Sequence, residues 1–204
     1  MAKAPRPGQA KTRLMPALGA AGAAALAERL LAHALSQAAA ADVGPLTLWA
    51  TPDLDHPAFA DARVQHGVRL ALQPPGDLGR RMAAVFTDAQ APTLLMGTDA
   101  PALDAAVLRA AAAALAQHDA VFVPALDGGY ALVGLRSATP AALRALFDGM
   151  TWSTPQVMAE TRARLAQAGL RHTELPPVAD IDEPADLAHL PPGLRLPPPP
   201  DATT

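Results

Sequence analysis

The sequence predicts an α/β fold with a largely parallel sheet and helices on both faces. Three observations predict it. Short apolar runs alternate with longer helix-forming stretches, the pattern of repeated βαβ units. The polar, glycine-bearing stretches "GTDAP" and "DGGY" directly follow apolar runs, where an open α/β sheet places its ligand loops. Half of the 204 residues are apolar, enough for one sizeable core.

Residues 20–41 form the first long helix, alanine-rich and free of internal proline. Gly44-Pro45 ends it, and residues 46–50 read as a short buried strand closed by Thr51-Pro52. The stretch "TPDLDHPAF" reads as loop. A strand follows at 68–72, then the loop "QPPGDLG", with Asp77 placed to cap a helix over 78–89. Residues 93–96 form a third strand, and Asp104 starts a helix running to about Gln117. Strands at 120–123 and 130–135 flank "PALDGGY". Thr139-Pro140 opens a helix to about Phe147. Ser153 or Thr154 is expected to cap another over 155–168, with Pro155 at its first position. A strand at 171–175 and a short helix opened by Glu183-Pro184 complete the domain, residues 1–190. Residues 191–204 read as a proline-rich, disordered or extended tail. The basic loop "AKAPRPGQAKTRL" is expected to follow a strand, yet the sequence opens on it, so a first strand is expected to be missing through a late start.

Composition excludes several classes. A net charge of −3 with no basic stripe argues against nucleic-acid binding. With no cysteine, there are no disulfides, thiolate nucleophiles or Cys-zinc sites, in keeping with a cytoplasmic protein. The first residues lack the apolar core of a signal peptide. The alanine-rich run is interrupted by Glu28, Arg29, His33 and Gln37, so no membrane span is expected. The six histidines show neither metal-ligand spacing nor Ser-His-Asp logic and read as surface residues. Of 16 Lys and Arg residues only Lys3 and Lys11 are lysine, consistent with a need there for a compact ammonium.

The chemistry gathers in loops. In "APRPGQAKTRL", Pro7-Gly8 allows a tight turn, and Lys11 and Arg13 put two cations before a helix, which suits a phosphate. The spacing is not that of a Walker A loop. In "GTDAPAL", Gly97 admits a ligand to the backbone and Asp99 offers hard oxygen to Mg²⁺ or Mn²⁺, Asp104 being the better helix cap. Gly128-Gly129 forms either a side-chain-free floor for a ligand or an ordinary hairpin turn, with Asp127 as its polar group. Gly76 and Arg81 of "QPPGDLGRRM" supply another wall, and Trp152 stacks on a ligand ring or fills the core. Asp180 and Asp182 are expected to face opposite ways, so that at most one meets Asp99.

Taken in order, "KAPRPGQAKTRLMPALG", "GDLGRRM", "GTDAPAL", "DGGYALVGL", "WST" and "DIDEPADL" resemble a bacterial family of the nucleotide-diphospho-sugar transferase superfamily, usually described as glycosyltransferases and some of them as arsenosugar-biosynthesis type. The resemblance covers about Lys3 to Leu190. It implies a GT-A fold, a Rossmann-like α/β/α sandwich with a mostly parallel mixed sheet, and a nucleotide with a divalent metal at its carboxyl edge. It implies Asp99 and Asp182 as metal ligands, and Lys11 and Arg13 in the phosphate loop. It places Asp127, Gly128 and Gly129 in a sugar-binding loop. Three departures stand out: the first strand is expected to be absent, Arg80 replaces an acidic residue, usually Glu, in "GDLG-x-RM", and Glu183 replaces a common Thr.

The function expected is metal-dependent glycosyl transfer from a nucleotide-sugar to a small-molecule acceptor, with Mg²⁺ or Mn²⁺ and with Asp99 and Asp127 as catalytic groups. Nucleotidyl transfer with release of pyrophosphate is the alternative. A non-catalytic nucleotide-binding protein is a further one.

Overall fold

The computed structural model describes residues 1–196; of the expected proline-rich tail, residues 197–204 lie outside that range. The elements run β1 (Ala2–Lys3), a 3-10 turn (Thr12–Leu14), α1 (Met15–Ala41), β2 (Thr47–Thr51), α2 (Pro57–His66), β3 (Arg69–Leu72), α3 (Leu78–Ala89) and β4 (Thr93–Met96). They continue through α4 (Ala105–Ala114), β5 (Ala120–Pro124), β6 (Tyr130–Leu135), α5 (Pro140–Phe147), α6 (Val157–Gln167) and β7 (His172–Glu174) to 3-10 turns at Pro184–His189 and Pro192–Leu194. This is the Rossmann-like α/β sandwich expected of a GT-A fold.

The strands form two ladders, β1-β2-β3 and β4-β6-β5-β7. Pairing is parallel in the first ladder and between β5 and β7, while β6 runs antiparallel to both β4 and β5. The antiparallel strand follows from the short "ALDGG" connection, too short for a crossover helix. The stretch expected to be wholly loop opens instead on a two-residue strand, which pairs Ala2 with Ala50 and Lys3 with Thr51. Pro5 and Pro7 lie just beyond it and cannot extend a ladder. The amino group of Met1 donates to the Met96 carbonyl at 2.7 Å and so ties the two ladders together. Burial lowers the pKa of that amine to about 6.

β5 lies between β6 and β7, and Ala120, Val121, Phe122 and Val123 are all buried, which explains its unbroken apolar run. α1 buries Leu26, Leu30, Leu31 and Leu35 and packs against α2 and α4. By length and composition it is the one helix among the described residues long and apolar enough to cross a membrane, despite the charges that interrupt it. In this fold its leucine face is core. Past residue 190, the Pro192–Leu194 turn packs on α1 through Leu194 and Leu196, and Arg29 donates to the Arg195 carbonyl at 2.6 Å.

Three caps fall where the sequence places them. Asp77 accepts from the Arg80 N–H at 2.8 Å, Asp104 from Val107 at 2.8 Å and Thr139 from Ala142 at 3.2 Å. Three local expectations fail. "TPDLDHPAF" is not all loop: Pro57 opens α2, and the His56 ring accepts from the Ala58 N–H at 3.2 Å. His56 is therefore a cap, and His33 bonds the Pro101 carbonyl at 3.0 Å, so neither is merely a surface residue. α6 begins at Val157 without a side-chain cap. Ser153 takes a left-handed φ of 63°, and Thr154 donates to the Thr151 carbonyl at 3.1 Å. The Met158 N–H is met instead by the Gly128 carbonyl at 2.8 Å.

Arg162 of α6 grips Glu174 of β7 through two bonds of 2.7 Å. That hydrogen-bonded guanidinium holds the Glu174 carboxyl below its ordinary range. A depressed carboxylate pKa contributes stability above the unfolded pKa and loses it as pH falls through the folded one. Glu174→Gln is expected to lower stability near pH 7 by no more than about 1 kcal/mol, because the pair is partly exposed. The difference from wild type should begin to shrink near the ordinary Glu pKa, about 4.3, and continue to fall as pH drops toward the depressed folded value. Urea denaturation at pH 7 and pH 3.5 checks this; an equal deficit at both pH values would refute it.

Candidate active site

Three segments converge beyond the carboxyl ends of the strands. The first is the basic loop after β1. Arg6 braces it by a two-pronged bond to Asp53, 2.7 Å on each arm. The Arg6 carbonyl accepts from the Gln9 and Ala10 N–H groups at 3.0 Å each, leaving Pro7 and Gly8 exposed on the turn. Lys11 follows in a left-handed conformation, φ 48° and ψ 44°, and turns its side chain inward.

The second segment is "GTDAP" after β4, and the third is residues 178–183. The third is pinned on both sides. The Leu126 N–H donates to the Val178 carbonyl at 3.0 Å, and the Ile181 N–H donates to the Asp99 carbonyl at 2.8 Å. Ile181 is fully buried. Asp180 and Asp182, two residues apart on an extended segment, therefore share the opposite face. The expectation that they diverge is corrected; adjacent residues alternate, not residues i and i+2. Asp186 accepts from the backbone N–H groups of Asp182 at 2.9 Å and Glu183 at 2.7 Å, which fixes the turn behind Asp182.

The carboxylates of Asp99 and Asp182 meet at one point, the Lys11 ammonium. Its Nζ lies 2.7 Å from Asp99 Oδ1 and 3.3 Å from Asp182 Oδ1, and it donates to the Ile181 carbonyl at 2.5 Å. The Lys11 side chain is only 6% exposed, against 49% for Asp99. Arg13 approaches from solvent, 3.1 Å from Asp182 Oδ2 and 3.9 Å from Glu183. Lys3 is exposed and stands apart from this cluster.

Asp127 sits on the neighbouring turn, its Oδ1 accepting from the Gly129 N–H at 2.8 Å. Asp180 lies between Asp127 and Asp182 in electrostatic terms. Burial first, then the nearby Asp127 carboxylate, raises its pKa above the ordinary range, with Asp182 and Asp186 adding to the effect. Asp180 and Asp186 are the residues sequence reasoning underrated. The i, i+2 spacing of Asp180 and Asp182 around an apolar Ile181 was the available signal.

Other expected site residues do structural work. A side chain on Gly128 would run into the backbone of Pro155, so the turn there is packed against the start of α6. Trp152 lies over Gly79, where a Cβ would come within 2.9 Å of the indole. It also packs edge-on to Tyr130 and beside Phe147, with ring centroids 6.5 and 6.4 Å away. Its indole N–H is buried without a partner among the described residues. Arg81 donates to the Gly76 carbonyl at 3.0 Å and to Gln73 at 3.3 Å, bracing the "QPPGD" loop.

Among the described residues no three His, Cys, Asp or Glu side chains form a ready-made metal cage. The cluster instead offers two carboxylates that already share one cation position, with a carbonyl beside it. That donor set fits Mg²⁺ or Mn²⁺, which commonly takes one or two protein carboxylates and fills its shell with water and substrate phosphate.

The fold and this cluster define a class, the Rossmann-like α/β proteins whose ligand loops cross the sheet's carboxyl edge. The chain belongs to the DUF2064 family, described as uncharacterized proteins conserved in bacteria, whose family model matches residues 34–154. It is also similar to a crystal structure from Desulfovibrio desulfuricans G20 described as a "putative nucleotide-diphospho-sugar transferase". That likeness has a TM-score of 0.77 at 31% identity and covers 89% of this chain and 79% of the other. No curated protein matches the sequence.

Proposed function

We propose that this protein is a metal-dependent glycosyltransferase that takes a nucleotide-sugar donor and a small-molecule acceptor in the cytoplasm. One observation carries the reading: Asp99 and Asp182, 83 positions apart in sequence, converge on a single cation position at the sheet's carboxyl edge. The similarity to the Desulfovibrio protein supports it, as does the resemblance to arsenosugar-biosynthesis-type glycosyltransferases.

Asp99 and Asp182 would hold Mg²⁺ or Mn²⁺. Bound there, the ion would neutralise charge growing on a departing nucleoside diphosphate. Lys11 and Arg13 add positive charge at the same place, Lys11 from a shielded position and Arg13 from the solvent side. Asp127 orients the acceptor hydroxyl or takes its proton, with one carboxylate oxygen already fixed by Gly129. Asp180 borders Asp127, and its burial keeps a carboxyl of raised pKa beside the acceptor's position.

The test is a panel of nucleotide-sugars, each with and without Mn²⁺, read by melting temperature and by release of nucleoside diphosphate. One donor is expected to stabilise the protein only with metal, by about 2.7 kcal/mol at 100 times its Kd. Pyrophosphate released from a nucleoside triphosphate and a sugar phosphate would assign nucleotidyl transfer instead. No shift with any nucleotide would overturn the reading.

A further inference from the structure

We propose that Lys11 is the resident cation of the Asp99–Asp182 pair, and that a divalent ion enters only when its ammonium leaves. The inference rests on the metal-dependent reading above. It goes further by assigning Lys11 a state in which it opposes metal rather than assisting it.

The geometry is that of a filled cation site. A lysine ammonium has three N–H donors and no acceptor. Here the Nζ has three oxygen neighbours, Asp99 Oδ1 at 2.7 Å, Asp182 Oδ1 at 3.3 Å and the Ile181 carbonyl at 2.5 Å. It donates hydrogen bonds to Ile181 and Asp182 and meets Asp99 as an ion pair. The side chain is almost wholly shielded from solvent. Its backbone is set by a left-handed turn directly before the Thr12–Leu14 helical turn. An arginine could not take this place, because its planar fork does not converge on one point.

Mg²⁺ or Mn²⁺ on the same carboxylate oxygens would sit about 2.1 Å from each. That position overlaps the ammonium, so the two cations exclude each other. Arg13, by contrast, reaches Asp182 through its other oxygen from a largely exposed position and need not move. An ammonium released from the pair remains next to the place proposed for the donor diphosphate. Metal and donor therefore bind cooperatively, and the coupling is reciprocal.

Lys11→Met tests this, because methionine keeps the length of the buried stem and removes the charge. Mn²⁺ alone is titrated into the wild-type chain and the variant, and the signal of free Mn²⁺ is followed by electron paramagnetic resonance. Lys11→Met is expected to bind one Mn²⁺ at least about tenfold more tightly than wild type, a difference of about 1.4 kcal/mol. Adding Asp99→Asn to the variant should erase that gain. Lys11→Gln, with a circular dichroism melt, guards against a variant that fails to fold. Wild type binding Mn²⁺ as tightly as Lys11→Met, in a manner lost with Asp99→Asn, would overturn the exclusion while leaving the metal site standing. A gain that survives Asp99→Asn would also overturn it. No Mn²⁺ binding by any folded variant would remove both the exclusion and the metal reading.

Discussion

Asp99→Ala is expected to lower sugar transfer on the order of 10³-fold in kcat/KM while leaving the fold intact. The two effects separate because of where the side chain lies. Asp99 anchors the 178–183 segment through its carbonyl, which accepts from Ile181, and that bond survives any side-chain change. The carboxylate itself is about half exposed, so its loss opens no buried cavity. Lys11 keeps Asp182 and the Ile181 carbonyl as partners. Stability should therefore shift by less than about 1 kcal/mol. Asp104→Ala is the matching control from the same loop: it removes the cap on the Val107 N–H. It should cost about 1 kcal/mol of stability with unchanged turnover. Nucleoside diphosphate release and urea denaturation of both variants decide the matter. An Asp99→Ala enzyme within tenfold of wild type would remove Asp99 from the chemistry.

The contrast between those two aspartates was legible in the sequence. Asp104 stands just before the apolar period of α4, whereas Asp99 stands directly at the end of a strand. The same local logic found the Asp77 and Thr139 caps and the strands that carry the loops. What local logic could not supply was the partner across space. The cation meeting Asp99 in this structure is Lys11, 88 positions earlier, and no spacing rule joins them. Asp186 was hidden for a related reason: the donors it accepts from are backbone N–H groups, which leave no trace in composition. α2 was missed because its cap is a histidine and its buried face is small, Ala58, Phe59 and Ala62. Tertiary packing, not propensity, holds it in place.

Gly128 shows how a correct motif can mislead about its purpose. A Gly-Gly pair after Asp127 invites the reading of a bare floor for ligand, yet Gly128 lies at φ +94° with its missing side chain aimed at protein. A Cβ there would sit 2.1 Å from the Pro155 carbonyl oxygen and 2.6 Å from its Cα. Neither atom belongs to a flexible side chain, so the backbone itself would have to move. The Gly128 carbonyl also accepts from Met158 N–H, so displacement would unmake the start of α6. Gly128→Ala combines an unfavourable φ with overpacking and is expected to cost about 3 kcal/mol. For a chain of this size that corresponds to a melting temperature lower by about 6–12 °C. Gly129→Ala provides the comparison: its Cβ would meet only the Asp127 carboxylate, at 3.2 Å. That change should cost about 1 kcal/mol or less and act instead on Asp127, lowering turnover. Thermal melts of the two variants distinguish a packing glycine from a ligand floor. A fully stable Gly128→Ala that has lost only donor binding would return Gly128 to the site, because a backbone clash of this size cannot be absorbed without a thermodynamic trace.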